Sequence, residues 1–377
     1  MAPSKAQAQL IDWIIGDDSA EVVSESKRGL SLRIVAEVNG LTKTDRQVLV
    51  EQKDSVQLKA EFLKNGALVS LAEIQKKYSI SFTWYKILPS SNVFLDPRAL
   101  KYFSAESRYQ YENFAPFVPK KLKYLAEEHL SEDLGSIPLD EVQEKNELFF
   151  ERNQQRVGSL RWKVIAHLTD LKSEVSFSIS SPSESRLSKP FDQLKTAETS
   201  QVFILSRKGD SGYPVYDLAV SYLGLPYIWW TGSPSRMLGL TCSQLVSVAA
   251  FKKDLSTSEL HAMKGIQISG IKEGRFYARI NGKEQALRYG QQVKPGDILV
   301  YYSGKEERHA AMIAEDHGNQ PGFLDEEDMM IHSTVSGMLG GNFFKKGLEY
   351  TQLGSIFNEE TLEYKIRIIS TGPKKEN

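Results

Sequence analysis

Cys242 is the only cysteine among the 377 residues of the chain, and its neighbours place it where a nucleophile could act. Thr241 and Gln244 have the spacing of a capping box, and Leu240 and Leu245 can pack across the same helix start. The pattern predicts that Cys242 is the first residue of a helix, where the helix dipole favours a thiolate. Its backbone amide could also donate to an oxyanion. A lone cysteine is otherwise most often a small buried apolar residue, and the cap favours the chemical interpretation.

Two histidines follow in segments that predict β-strands. Residues 293–297 form a turn before the apolar strand 298–302, and His309 begins the next strand. A polar loop leads to a third strand, which contains His332. Because side chains alternate between the faces of a strand, antiparallel pairing would make the two imidazoles neighbours. A thiol needs a base and the base needs an orienting group, so Cys242, His309 and His332 predict a catalytic triad.

The order of these segments resembles the NlpC-type cysteine peptidases, which are papain-like enzymes that cleave peptidoglycan stem peptides in bacteria. The resemblance covers about residues 205–370 and rests on five segments: Leu225 to Trp230, Thr241 to Ser243, Lys294 to Leu299, His309 to Ile313 and Ile331 to Thr334. It implies that Cys242 is the nucleophile, His309 the base and His332 the residue that orients the base. It also implies a cysteine endopeptidase, with peptidoglycan stem peptides as its partners.

The same resemblance implies a substrate-binding surface around the nucleophile. Tyr227 would lie beside the thiol, with Trp229 and Trp230 next to it. The residues that flank the nucleophile and the base complete the predicted contacts with substrate: Thr241, Ser243 and Arg308.

Two positions depart from the family pattern. Thr241 stands where the family usually has an aspartate that is associated with substrate binding, although threonine still caps a helix. Trp230 stands where a small residue is usual. Two alternatives therefore stay open beside the peptidase: an amidase or acyltransferase that uses the same triad, or a wall-binding protein whose cleft is blocked.

Composition narrows the function classes. A net charge of −1, with 41% hydrophobic and 25% charged residues, is ordinary for a globular protein and predicts no nucleic-acid partner. One cysteine excludes an intrachain disulfide, and no pattern of metal ligands is found, so we expect no cofactor and no metal. No apolar run is long enough to predict a transmembrane segment. We expect a periplasmic or secreted bacterial protein, although this chain begins without a signal-peptide pattern; a cytoplasmic location is the alternative.

The amino-terminal half has a hydrophobic period of two. Segments beginning near Leu30, Val48, Val56, Ile80, Leu160 and Val175 alternate apolar and polar residues, which predicts a β-sandwich-like domain with Trp84 and Trp162 in its core. The predicted fold class is α+β, with a carboxy-terminal papain-like, NlpC-type domain after an all-β, sandwich-like domain that has a helical insertion. The predicted boundaries are as follows: helix and linker 1–28, sandwich-like domain 29–182 with insertion 96–146, linker 183–204, and peptidase domain 205–371.

Overall fold

The computed structural model describes residues 29–45, 47–88, 126–132, 135–139, 148–152, 154–181, 203–225, 240–302, 307–334, 348–363 and 365–372. The chain divides into two compact units. The first unit comprises Met1–Leu148 and Leu160–Leu205, and the second comprises Phe149–Ser159 and Ser206–Asn377. The second unit therefore includes a short segment from the middle of the chain as well as the carboxy-terminal half.

Where the structure describes the first half of the chain, most residues lie in antiparallel strands. In chain order, the elements are β1 Leu30–Val38, β2 Leu41–Lys43, β3 Gln47–Val50, β4 Val56–Lys64, β5 Ala67–Val69, helix α1 Leu71–Gln75, β6 Tyr78–Leu88, β7 Ala126–Glu132, β8 Ser136–Pro138, β9 Phe150–Arg152, β10 Gln155–Asp170, β11 Ser176–Ser180 and β12 Phe203–Arg207. One sheet has the order β2-β1-β4-β5, with β8 beside β4; the other has the order β3-β12-β10-β6-β7, with β9 and β11 beside β10.

The core of the first unit confirms the alternation read from the sequence. Along β1 the apolar side chains are buried and most polar ones are partly exposed. Trp84 and Trp162 are both fully buried, as predicted. The rings of Phe62 and Phe82, which belong to different sheets, have centroids 6.0 Å apart.

The predicted helical insertion at 96–146 contains strands where the structure describes it. β7 pairs with β6, and β8 pairs with β4. The backbone groups of β6 and β4 therefore provide the hydrogen-bond partners of the two strands in the insertion. The remainder of the insertion, apart from residues 135 and 139, lies outside the described residues, as does the predicted helix and linker at 1–28. Within the predicted linker 183–204, residues 203 and 204 begin β12.

The second unit is organised around one antiparallel sheet of eight strands. Its remaining elements are α2 Pro214–Val220, α3 Cys242–Phe251, α4 Thr257–Ala262, β13 Ile266–Lys272, β14 Arg275–Ile280, β15 Lys283–Ala286, β16 Ile298–Tyr302, β17 Glu307–Glu315, β18 Met329–Ser333, β19 Leu348–Gln352, β20 Lys365–Ile369, and the 3-10 helices Leu353–Ser355 and Glu359–Glu363. The sheet order is β15-β14-β13-β20-β16-β17-β18-β19. Helix α3 packs against β17 and β18, and α4 packs against β16 and β17.

The turn before β16 is fixed by its aspartate. Asp297 is 1% exposed, and its carboxylate accepts the backbone N–H groups of Lys294 and Thr371, each at 3.0 Å. The Lys294 ammonium pairs with the same carboxylate. Gly296 has a φ of 94°, a conformation that favours glycine. This turn, one of the segments on which the family resemblance rests, therefore joins the start of β16 to the residues after β20.

The predicted α+β, papain-like fold class is wrong. Within the described part of the chain, strands hold 51% of the residues and helices 15%, and the strands form antiparallel sheets and a half-barrel. The helical periodicity of the second unit is genuine but short, since α2 has seven residues and α4 has six. None of the described helices has the length and apolar character to cross a membrane.

Candidate functional site

Cys242 is the first residue of α3, as predicted. Thr241 adopts an extended conformation, and its hydroxyl accepts the backbone N–H of Gln244 at 3.2 Å. The Gln244 side chain accepts the backbone N–H of Thr241 at 3.1 Å, which completes the capping box. Leu240 and Leu245 are fully buried, and the thiol-bearing residue is partly exposed. The helix start therefore presents a cysteine at the positive end of the helix dipole, where a thiolate is stabilised.

Asp254 supports this helix start from beyond the end of α3. The side-chain amide of Gln244 donates to the Asp254 carboxylate at 3.0 Å, while its carbonyl holds the Thr241 backbone. Gln244 is 5% exposed. Sequence reasoning missed Asp254 because the contact depends on where the chain runs after the helix ends.

His309 and His332 form a buried, hydrogen-bonded pair. The Nε2 atom of His309 lies 2.8 Å from the Nδ1 atom of His332, and the two rings are nearly perpendicular, at 84°. Met312 faces Ile331 across β17 and β18; extending that register by one pair places His332 opposite Ala311. His309 shares the face of Ala311, so the two histidines are diagonal neighbours on one face. The predicted proximity of the imidazoles is confirmed.

The surroundings of His309 keep it uncharged. It is 8% exposed, and its ring centroid lies 6.5 Å from that of Tyr301 and 6.4 Å from that of Phe357. Burial lowers the pKa of His309 well below the usual value, and the adjacent His332 lowers it further. A neutral imidazole can accept a proton, as a general base must. Because Nε2 is joined to His332, Nδ1 is the nitrogen that can receive a proton from a thiol.

A buried hydrogen bond ties the nucleophile helix to the histidine strands. The hydroxyl of Ser333 donates to the backbone carbonyl of Leu240 at 2.5 Å, and Ser333 is fully buried. Ser333 directly follows His332, and Leu240 lies two residues before Cys242. Ser333 is the last residue of β18, so the helix start meets the carboxyl end of this strand, and alternation places that contact on the face opposite to His332.

Helix α3, which begins at Cys242, packs against the two strands that carry His309 and His332. Proton transfer requires an approach to about 3 Å, and such contacts often tighten only when substrate binds. A mechanism that uses both residues therefore requires the Cys242 thiol and the Nδ1 atom of His309 to reach this distance.

Glu349 lies on the other side of His332. It is the partner of His332 in the register of β18 and β19, and its Oε2 atom lies 3.7 Å from His332 Nε2. Sequence reasoning missed Glu349 because residues 348–352 were not recognised as a strand. The weak alternation of this segment, in which four of the five residues are only partly buried, offered little signal.

The predicted substrate contacts are described only in part. Ser243 is the second residue of α3, and its hydroxyl lies 3.4 Å from that of Thr241. Arg308 immediately precedes His309 in β17. The predicted aromatic contacts lie outside the described residues: Tyr227, Trp229 and Trp230. Within the described part of the chain, no group of three or more His, Cys, Asp or Glu residues could hold a metal ion.

Comparison with protein-family models, with curated proteins and with solved structures gives no match. The function must therefore be argued from the arrangement of Cys242, His309 and His332, together with the sequence resemblance given above.

Proposed function

We propose that the chain is a cysteine hydrolase that cleaves an amide bond in a peptide, using Cys242 as nucleophile, His309 as base and His332 as orienting residue. The observation that carries the proposal is the 2.8 Å hydrogen bond between the two buried imidazoles, on strands against which the nucleophile helix packs. A base whose second nitrogen is held by another side chain has a fixed tautomer and orientation. Peptidoglycan stem peptides are the proposed substrate class, on the strength of the NlpC-type resemblance.

The reaction would proceed through an acyl-enzyme. His309 takes the proton of the Cys242 thiol, and the thiolate attacks the carbonyl carbon of the scissile amide. In this mechanism the backbone amide of Cys242 donates a hydrogen bond to the resulting oxyanion. His309 returns its proton to the leaving nitrogen as the C–N bond breaks, which leaves a thioester. Water, deprotonated by His309, then attacks the thioester and releases the acid and the free thiol.

A second candidate keeps these residues and changes the acceptor of the acyl group. Thr241 stands where the related peptidases usually carry an aspartate associated with substrate binding, which favours a different substrate or acceptor. Attack on the thioester by an amine would give acyl transfer, and loss of a terminal amide would be an amidase reaction. A wall-binding protein with a blocked cleft is the third candidate, and it predicts no turnover.

Purified muropeptides, followed by mass analysis of the products, test these candidates. Hydrolysis adds one water across the cleaved bond, whereas transfer to an added amine gives a product that contains that amine. We expect Cys242→Ala to lower turnover by roughly 10⁴-fold or more, and His309→Ala to reduce it more than His332→Ala does. His317→Ala, which removes an exposed imidazole, is the matched control and should leave turnover unchanged.

Thiol labelling provides an independent check. Because Cys242 is the only cysteine, the rate of alkylation by iodoacetamide reports on this residue alone. Fast labelling near neutral pH that slows in His309→Ala is the expected result. Normal turnover by Cys242→Ala would contradict the proposal. A labelling rate that is the same in the native chain and in His309→Ala would contradict it as well.

A further inference from the structure

Glu349 occupies the position next to His332 that is opposite to His309. It is paired directly with His332 between adjacent antiparallel strands, so the two side chains share one face of the sheet. The carboxylate oxygen lies 3.7 Å from His332 Nε2, which is within ion-pair range and beyond hydrogen-bond range. The Glu349 side chain is 21% exposed, so solvent screens it only in part.

His332 carries a nitrogen that needs a partner. Its Nδ1 is joined to His309, whereas its Nε2 is buried without a hydrogen-bond partner in the described part of the chain. Leaving a buried polar group unsatisfied is unfavourable, which is why such groups are rare. The Glu349 carboxylate needs to move by about 1 Å to reach the usual distance of a charge-assisted hydrogen bond.

We propose that Glu349 is a positioning residue that accepts the Nε2–H of His332 and thereby sets the protonation pattern of the histidine pair. With its proton on Nε2, His332 has a lone pair on Nδ1, which receives the Nε2–H of His309. His309 then has its lone pair on Nδ1, as the base in the proposed function requires. In this arrangement Glu349 orients His332, and His332 orients His309.

The negative charge of Glu349 has a second consequence for the site. When His309 takes the proton of Cys242, a positive charge forms in a buried environment that opposes it. The His332 imidazole, which is bonded to His309, carries no negative charge. The Glu349 carboxylate on the far side of His332 carries the charge opposite to that of the His309 imidazolium. The carboxylate therefore stabilises the imidazolium through the intervening ring, as a buried carboxylate does behind a catalytic histidine.

The variants Glu349→Leu and Glu349→Gln separate the hydrogen bond from the charge. Leucine removes both, whereas glutamine retains an acceptor oxygen without charge. Glu284→Gln removes an exposed carboxylate from strand β15 of the same sheet and is the matched control. The first measurement is the tautomer of His332, read from the ¹⁵N chemical shifts of the imidazoles and assigned with a His332→Gln variant.

We expect His332 to hold its proton on Nε2 in the native chain, in Glu349→Gln and in Glu284→Gln, and to become a mixture of tautomers in Glu349→Leu. In the muropeptide assay, kcat should fall about 10-fold to 100-fold in Glu349→Leu, a size typical of hydrogen-bond partners that orient a functional histidine. Glu349→Gln should show a smaller loss, and KM should change little. A role in folding alone would lower stability in both variants and leave the tautomer unaltered.

The inference rests on the proposed function only for its kinetic part. If the native chain is inactive, the proposed function is contradicted. A His332 tautomer that depends on Glu349 would still support the positioning role in that case. An unchanged His332 tautomer in a folded Glu349→Leu variant would overturn that role, whatever the activity. If the leucine variant does not fold, a native chain with the His332 proton on Nδ1 would overturn it equally.

Discussion

At the scale of single residues, two buried ionisable groups of the second unit respond to pH in opposite directions. Burial lowers the pKa of His309, so the unfolded chain binds its proton more readily than the folded chain does. Burial raises the pKa of Asp328 from 3.8 to about 6, although three backbone N–H groups donate to its carboxylate. The folded chain therefore binds the proton of Asp328 more readily.

His309 should make the free energy of unfolding fall as the solution becomes acidic. Its contribution is complete above the unfolded pKa of about 6.5 and is lost as the pH falls from there toward the folded pKa, with a slope of at most about 1.4 kcal/mol per pH unit. Asp328 has the opposite slope between 3.8 and about 6, because its ionisation destabilises the folded chain. Urea unfolding of the native chain and of His309→Asn at matched pH isolates the first effect. If the free energies of unfolding of the two chains change with pH in the same way below pH 6.5, His309 is not buried in its neutral form.

The two histidines were found from the sequence because the necessary information is local. Alternation assigns each imidazole to a face, and a short polar loop between two apolar segments favours antiparallel pairing. Glu349 could not be found in the same way. Its position opposite His332 depends on the register of β19, and residues 335–347, which precede that strand, carry no pattern that sets a register.

At the scale of elements, α3 and α4 offer a natural comparison because both begin with a capping box. Ser256 accepts the backbone N–H of Glu259 at 3.2 Å in α4, as Thr241 accepts that of Gln244 in α3. The two caps are chemically alike, but only the cap of α3 adjoins a cysteine.

Removing either hydroxyl should cost a similar amount of stability and have different chemical effects. Thr241→Ala and Ser256→Ala should each lower the free energy of unfolding by about 1 kcal/mol. Only Thr241→Ala should slow iodoacetamide labelling of Cys242, since it loosens the amides that stabilise the thiolate. Chemical denaturation and labelling kinetics on the same samples test both statements. Equal labelling rates in the two variants would show that the cap does not govern the thiol.

The fold class was mistaken at this same scale. The helical periodicity of α2 and α3 was read correctly, but it covers few residues. Strands β13 to β15 extend the sheet beyond the histidine strands. Which strands join one sheet depends on long-range pairing, and no local pattern specifies it.

At the scale of the whole molecule, the second unit is discontinuous in sequence, because Phe149–Ser159 belongs to it. The Ser159 hydroxyl lies 2.5 Å from that of Ser206 and donates to the carbonyl of Ser221 at 2.7 Å.

Gly158 has a φ of 114°, and a Cβ atom there would lie 2.8 Å from the Leu223 carbonyl oxygen. The Arg152 guanidinium lies over the Tyr350 ring at 4.8 Å. The boundary near residue 205 was predicted from a change in composition. Composition gives no indication that residues 149–159 belong to the second unit.

A fragment that begins at Ser206 should therefore be incompletely folded. Joining Phe149–Ser159 to Ser206 through a few Gly and Ser residues should restore a cooperative thermal transition, because the two serine hydroxyls lie 2.5 Å apart and a short flexible linker can span the ends. The control fragment carries the linker without residues 149–159. Near-ultraviolet circular dichroism and thermal melting distinguish the two. Equal transitions in both fragments would show that the segment adds nothing to the second unit.

This discontinuity has a consequence for synthesis on the ribosome. About 210 residues separate Ser159 from Ile369, the last residue of the final strand. At translation rates of roughly 5–20 residues per second, Phe149–Ser159 emerges about 10 to 40 s before the last strand of the second unit is complete. In the folded chain Phe149 is buried and the Arg207 guanidinium lies over its ring. The Arg207 partner follows Ser159 by 48 residues, or about 2 to 10 s of synthesis, whereas the Tyr350 ring that lies against Arg152 follows Ser159 by 191 residues, so the segment should complete its contacts in two stages.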